Sequence, residues 1–112
     1  MIVRQGEIYL ATLEPRRGSE QGGIQPVVVV SGDTMNEHFG IVIVCPISTK
    51  IKNYDGCVQI SRGGRTGLAN DSEAITFQIR TLAKERFLRK MGIVSPAELK
   101  EIFRGLFLIL TH

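Results

Sequence analysis

These 112 residues predict an α+β domain that is mainly β, with a single helix at its C-terminal end. Three observations point there. Short β-branched runs recur along most of the chain, twelve glycines and four prolines break them into turns, and sustained helical periodicity comes only at the end. Hydrophobic residues at 43% and charged residues at 22% give a globular balance rather than a disordered one. The length suits one domain, 1–112, whose single core can just support itself, and neither repeats nor a low-complexity tract suggest a solenoid.

In chain order, Gly6 to Leu13 (GEIYLATL) alternates and carries β-formers, so it predicts a first strand. EPRRGSEQGG follows as a flexible loop, marked by Pro15, Gly18, Gly22 and Gly23. Pro26 opens VVVV, a continuous β-branched run that implies a strand buried on both faces, with the proline at its first residue, where a missing N–H costs no ladder bond. Asp33 to Phe39 is polar enough for one helical turn capped by Asp33 or Ser31. IVIVCP, Ile41 to Pro46, is a second buried strand, and Gly56 to Ser61 a shorter one before the RGGRTG turn. Ser72 to Leu82 predicts a further strand or strand pair, with Thr76, Gln78 and Arg80 on one face and Phe77 and Ile79 on the core side. Arg86, Arg89 and Lys90 form a basic cluster that suits a solvated surface. Ser95-Pro96-Ala97-Glu98 is a helix start with a capping box. From there Leu99, Ile102, Phe103, Leu106, Phe107 and Leu110 recur at helical spacing as one apolar stripe to pack on the sheet.

Fourteen Lys and Arg against eleven Asp and Glu leave a formal charge of +3, compatible with a polyanionic partner but shared by many proteins without one. MIVRQGEIY lacks the basic-then-apolar pattern of a secretory leader, and no apolar run approaches membrane-spanning length, so a cytoplasmic protein without membrane association is expected. Cys45 and Cys57 are too few for a disulfide scaffold and fall in no C-x-x-C pair; they read as buried, reduced thiols.

GEIYLATLEPRRGSEQGGIQPVVVVSGD resembles the N-terminal signature of the MazF/PemK toxins: a G-[DE]-[IV] strand start, then G-S-E-Q-G-G, a variable residue, Arg-Pro and a valine-rich strand. IVIVCPIST, FQIRTL and the C-terminal helix agree in order and spacing, so the resemblance spans nearly the whole chain. It implies an SH3-like small barrel with a C-terminal helix, a two-fold homodimer, and sequence-selective, metal-independent cleavage of single-stranded mRNA. It also implies inhibition by an antitoxin whose disordered tail folds across the active groove. The family pairs the arginine before the proline with a threonine after the second buried strand; here these positions hold Gln25 and Ser48, with Thr49 adjacent. Serine keeps the hydroxyl, whereas glutamine does not keep the charge.

Metal-free RNA cleavage has the ribose 2′-hydroxyl attack the adjacent phosphate, leaving a cyclic phosphate and a free 5′-hydroxyl. The site must take a proton, give a proton and stabilise a phosphorane more negative than the diester. His38, in a polar turn, and His112, at the terminus, are poorly placed for this. The remaining candidates are Glu20 as base, Ser48 or Thr49 as phosphate donor, and position 25 as electrostatic clamp, with no cofactor or metal. For RNA binding the candidates are Arg16, Arg17, Gln21, Lys50, Lys52, Gln78 and Arg80, and Tyr54 and Phe39 are the loop aromatics available for base stacking. Three origins of Gln25 stand open: lost or shifted activity, a substitute guanidinium from Arg16, Arg17 or Arg80, or a deliberately detoxified chain. A rival reading is a catalytically silent member of the fold that still binds RNA or antitoxin. A gyrase poison on the same barrel needs an exposed C-terminal aromatic signature, which Leu110-Thr111-His112 does not offer.

Overall fold

The valine-rich runs take the centre of the sheet, because only there are both faces of a strand covered. The computed structural model describes residues 1–112. It contains β1 (Glu7–Thr12), β2 (Ile24–Val29), α1 (Asp33–His38), β3 (Ile41–Ser48), β4 (Val58–Ile60), β5 (Ser72–Ala74), β6 (Arg80–Ala83), β7 (Phe87–Ile93) and α2 (Pro96–Thr111), with 3₁₀ turns at Thr76–Gln78 and Lys84–Arg86. The seven strands pair antiparallel as an open path, β4-β5-β3-β2-β1-β7, with β6 joining β3 alongside β5. In β2, Val28 and the following Val30 enter a core cluster shared with α2, while Val27 and Val29 enter a second cluster with Tyr9, Val42, Val44, Leu82 and Phe87. One β-branched run thus serves two cores by simple alternation.

Several expectations shift in detail. Pro26 lies inside β2 rather than at its first residue, because Ile24 and Gln25 already pair with Thr12 and Ala11. The cap of α1 is Gly32 with no side-chain cap; Ser31 is buried and its hydroxyl instead bonds Asn36 Oδ1 at 2.5 Å and accepts from Ile43 N at 3.0 Å. The stretch from Ser72 to Leu82 is a strand pair broken by a bulge. Ser48 lies opposite Glu73 and Val44 opposite Arg80, so β5–β6 takes a longer step than β3, and the excess is the Thr76–Gln78 turn. Period-2 facing therefore fails there: Thr76 is buried, whereas Phe77 is 49% exposed and is not core.

The basic cluster lies on β7 and its approach: Arg89 and Lys90 are exposed, as a solvated surface requires, and Arg86 is half-buried. β7 pairs with β1. Lys90 Nζ lies 2.5 Å from Glu7 Oε2, and Arg86 donates to the carbonyls of Thr12 and Glu14. Glu7 is buried; burial pushes its carboxyl up, but Lys90, the Arg4 N–H and the Tyr9 hydroxyl outweigh that and hold it below the usual carboxylate value. Tyr9, stacked on Phe87 with centroids 4.4 Å apart and planes 6° from parallel, is pushed up to about 12 by burial and by Glu7.

The capping box forms: Ser95 Oγ accepts from Glu98 N at 3.0 Å and Glu98 Oε1 accepts from Ser95 N at 2.8 Å. The apolar stripe packs only in part. Ile102 and Leu106 are buried and Leu99 and Ile109 pack against the core, but Phe103, Phe107 and Leu110 remain exposed. The helix is turned toward Gly105, whose missing side chain lets it lie directly on the Gly56 backbone. Neither α2 nor any other helix is long and apolar enough to cross a membrane. Cys45 is fully buried, its thiol pushed up to about 12 by burial and by Cys57, and Cys57 is half-buried; both are free thiols.

Candidate active groove

The loop between β1 and β2 owes its shape to its glycines and to one carboxylate. Glu14 accepts from Arg16 N at 3.1 Å and from Gly23 N, closing the loop on itself. Gly23 has φ +72°, and a Cβ on Gly22 would stand 2.6 Å from the Arg16 Cβ. Gly22 thus lets the Arg16 side chain lie across the loop backbone, and Gly23 supplies the left-handed turn beside it. Glu20 Oε1 accepts from Arg17 N at 3.1 Å, and Gln78 Nε2 reaches from the bulge to Ser19 O at 3.0 Å.

This loop forms one wall of a cavity of about 700 Å³. Glu20, Gln25, Ser48 and Thr49 all line it, as do Arg16, Gln21, Lys50, Lys52 and Gln78. Of the remaining sequence candidates, Arg80 lies in an adjoining hollow shared with Glu20, Gln21, Phe77 and Gln78, and Arg17 lines neither. The Arg80 guanidinium carries a buried Nη1 with no hydrogen-bond partner. His38 and His112 are outside both cavities; the His38 Nδ1–H donates to Thr34 O at 2.7 Å. No group of three or more His, Cys, Asp and Glu side chains gathers as metal ligands.

Gln25 has a defined place. Val30 N donates to Ile43 O at 2.9 Å, and Val28 faces Cys45; two residues further along the same ladder the bond due from position 26 to Ile47 cannot form, since proline has no N–H. The Gln25 side-chain amide takes over, with Nε2 at 3.4 Å from Ile47 O. Ser48 Oγ accepts from Lys50 N at 3.1 Å, which leaves its own O–H to donate toward the cavity.

Sequence reasoning missed two features of the groove. Glu73 is buried, yet it lines the cavity and accepts from Lys52 N at 3.3 Å and Asn53 N at 3.0 Å, pinning the rim that carries Lys50 and Lys52. Nothing in S-E-A marks it, because its partners are backbone N–H groups twenty residues away in the chain. Phe77 is the other; with Tyr54 it lines the groove, whereas Phe39 does not.

A family model described as PemK-like, MazF-like toxin of type II toxin–antitoxin systems matches residues 4–110. The chain belongs to that family. Among relatives, the endoribonuclease MazF of Staphylococcus saprophyticus is 40% identical over 103 residues, covering 90% of this chain and 85% of that protein. A crystal structure of MazF from Deinococcus radiodurans has TM-score 0.86 at 22% identity, covering 100% of this chain and 99% of that one. An endoribonuclease in complex with its cognate antitoxin from a mycobacterial species has TM-score 0.79 at 21% identity, covering 96% and 94%. Those two likenesses are likenesses of fold: a mostly antiparallel sheet with a C-terminal helix is the MazF architecture.

Proposed function

We propose that this MazF/PemK-family chain is an endoribonuclease toxin that cuts single-stranded mRNA selectively and without a metal, in the groove between the GSEQGG loop and the end of β3. The observation that carries this is the shared cavity of Glu20, Gln25, Ser48 and Thr49, with Arg16, Lys50 and Lys52 on its walls. Glu20 is exposed on the rim and takes the 2′-hydroxyl proton. The phosphate accepts from Ser48 and Thr49, and Arg16, Lys50 and Lys52 oppose the growing negative charge on its oxygens. The 2′-oxygen closes the cyclic phosphate as the bond to the 5′-oxygen breaks, and the 5′-oxygen leaves as a hydroxyl on taking a proton from water in the open groove.

Gln25 sets the level of activity. Its amide contributes a neutral donor already shared with Ile47 O, where the family's arginine would bring a permanent charge. Removal of one preorganised donor at such a site typically costs ~10²–10³ in rate, and the lost charge adds to that. The alternative, a catalytically silent module that holds RNA or antitoxin, is favoured by the same contact. The proposed partners are single-stranded RNA, a cognate antitoxin and a second copy of the chain in a homodimer, for which the exposed Phe103, Phe107 and Leu110 stripe offers an apolar surface. The cytoplasm is the compartment this substrate implies.

The test is cleavage of a defined RNA in EDTA by the chain as written and by Gln25→Arg. Cleavage with a 2′,3′-cyclic phosphate product supports the enzyme. Silence from both proteins removes it, and RNA binding without cleavage by both leaves the silent module.

A further inference from the structure

We propose that Tyr54 and Phe77 form a nucleobase-binding subsite on the groove rim, taking one unstacked base of single-stranded RNA; this rests on the reading of the groove as an RNA site. The two rings have centroids 5.9 Å apart and meet at 53°, an open V. Tyr54 is 54% exposed and Phe77 49%, and both line the cavity that holds Gln25 and Ser48. The contrast with Tyr9 and Phe87 is direct. That pair is buried and parallel, so each ring covers the other, whereas the rim pair leaves aromatic faces open to a third planar group.

The pair is held, not floppy. Tyr54 follows Lys52 and Asn53, whose N–H groups donate to buried Glu73. Two residues beyond Tyr54, Gly56 accepts at its carbonyl from Thr76 Oγ1 at 2.9 Å. Thr76 is the residue before Phe77 in the bulge, so one hydrogen bond ties the two segments that carry the rings. Gly56 also rests on Gly105 of α2. A platform fixed on three sides gives up little conformational freedom on binding.

The surroundings favour RNA over an acidic peptide. Lys50 and Lys52 precede Tyr54 on the same rim, and they line one cavity with Ser48 and both rings, so a strand with its phosphate at Ser48 shares that cavity with the aromatic faces. Stacking on exposed aromatics is worth ~1–3 kcal/mol per base and tolerates any base, since each has a π-face. Selectivity among bases then falls to polar groups beside the rings, of which Gln78 is one.

The chain contains no tryptophan and two tyrosines, and Tyr9 is buried against Phe87, so intrinsic fluorescence quenched by a bound base reports on Tyr54. The full-length protein is titrated with a 2′-O-methyl oligoribonucleotide, which keeps the bases but cannot be cut, with an abasic oligomer of equal charge, and with poly-glutamate. The oligonucleotide alone should quench. Tyr54→Leu and Phe77→Leu, read by the anisotropy of a fluorescein-labelled oligonucleotide because the first variant lacks the reporter ring, should each weaken its binding by about 5- to 150-fold, with the slope of affinity against salt unchanged because no phosphate contact is lost. Tyr54→Phe should restore binding, and circular dichroism verifies folding of each variant. Equal quenching by the abasic oligomer or poly-glutamate overturns the subsite, as does wild-type affinity in both Leu variants. If the native chain cuts or binds RNA while the Leu variants match it, only the subsite falls; if the native chain neither binds nor cuts, the groove reading falls with it.

Discussion

Gly105 of α2 and Gly56 of the groove rim meet backbone to backbone: a Cβ on Gly105 would stand 2.0 Å from the Gly56 carbonyl oxygen. Helix propensity alone favours alanine over glycine inside a helix by about 1 kcal/mol. The contact opposes it, because the Gly56 oxygen belongs to backbone that Thr76 also holds. Gly105→Ala is therefore expected to destabilise by about 1–3 kcal/mol through overpacking, lowering the melting temperature by roughly 4–8 °C per kcal/mol. A raised melting temperature would show that the helix does not sit this close.

Gln25→Arg should raise the rate of RNA cleavage by ~10² or more, since it restores a permanent charge beside the scissile phosphate. Single-turnover cleavage of a labelled oligonucleotide measures the effect. An unchanged rate would mean that Arg16, Lys50 or Lys52 already supplies the charge, or that the chain is no catalyst.

Ser48 is expected to act through its hydroxyl. Ser48→Ala should cost ~10²–10³ in kcat with a smaller change in KM, while Ser48→Thr, which keeps both the acceptor for Lys50 N and the O–H, should stay near the native rate. Equal rates in the alanine and threonine variants would remove the hydroxyl from the reaction.

Glu7 makes the fold sensitive to acid. Its folded carboxyl is held below the usual value by Lys90, Arg4 N and Tyr9 against the opposing effect of burial. A depressed folded value adds stability above the unfolded value, about 4.3, and that stability is lost as pH falls through the folded value. Relative to Glu7→Gln, the native chain should be more stable in urea at pH 7, and the gap should shrink below about pH 4. A gap that persists undiminished at pH 3 would contradict the ion pair.

Much of the groove was legible because its shape depends on backbone demands that leave a trace in sequence. Gly22 is where it is because Arg16 leaves no room for a side chain, and Gly23 because its φ of +72° strains any other residue. Ser48 and Gln25 could be named only through the resemblance to the MazF/PemK signature, since the β2–β3 register that brings their strands together is not written in either segment. The capping box at Ser95 is local chemistry among four consecutive residues, and it formed as read. Strand β7 was not legible, since its charged residues hid a pairing with β1 that makes Lys90 a partner of Glu7.

The sequence by itself determined a mainly β chain with a late helix, the two-faced burial of Val27 to Val30, and a glycine-shaped loop, because each is a matter of local period and local sterics. Only the tertiary structure decided that Thr76–Gln78 bulges out of its strand, that α2 presents Gly105 rather than its whole apolar stripe, and that Glu73, Tyr54 and Phe77 meet at one rim. The first of those outcomes depends on how β3 pairs with two successive partners of unequal step. The mismatch is a property of strands brought together from distant parts of the chain, so no window of neighbouring residues contains it.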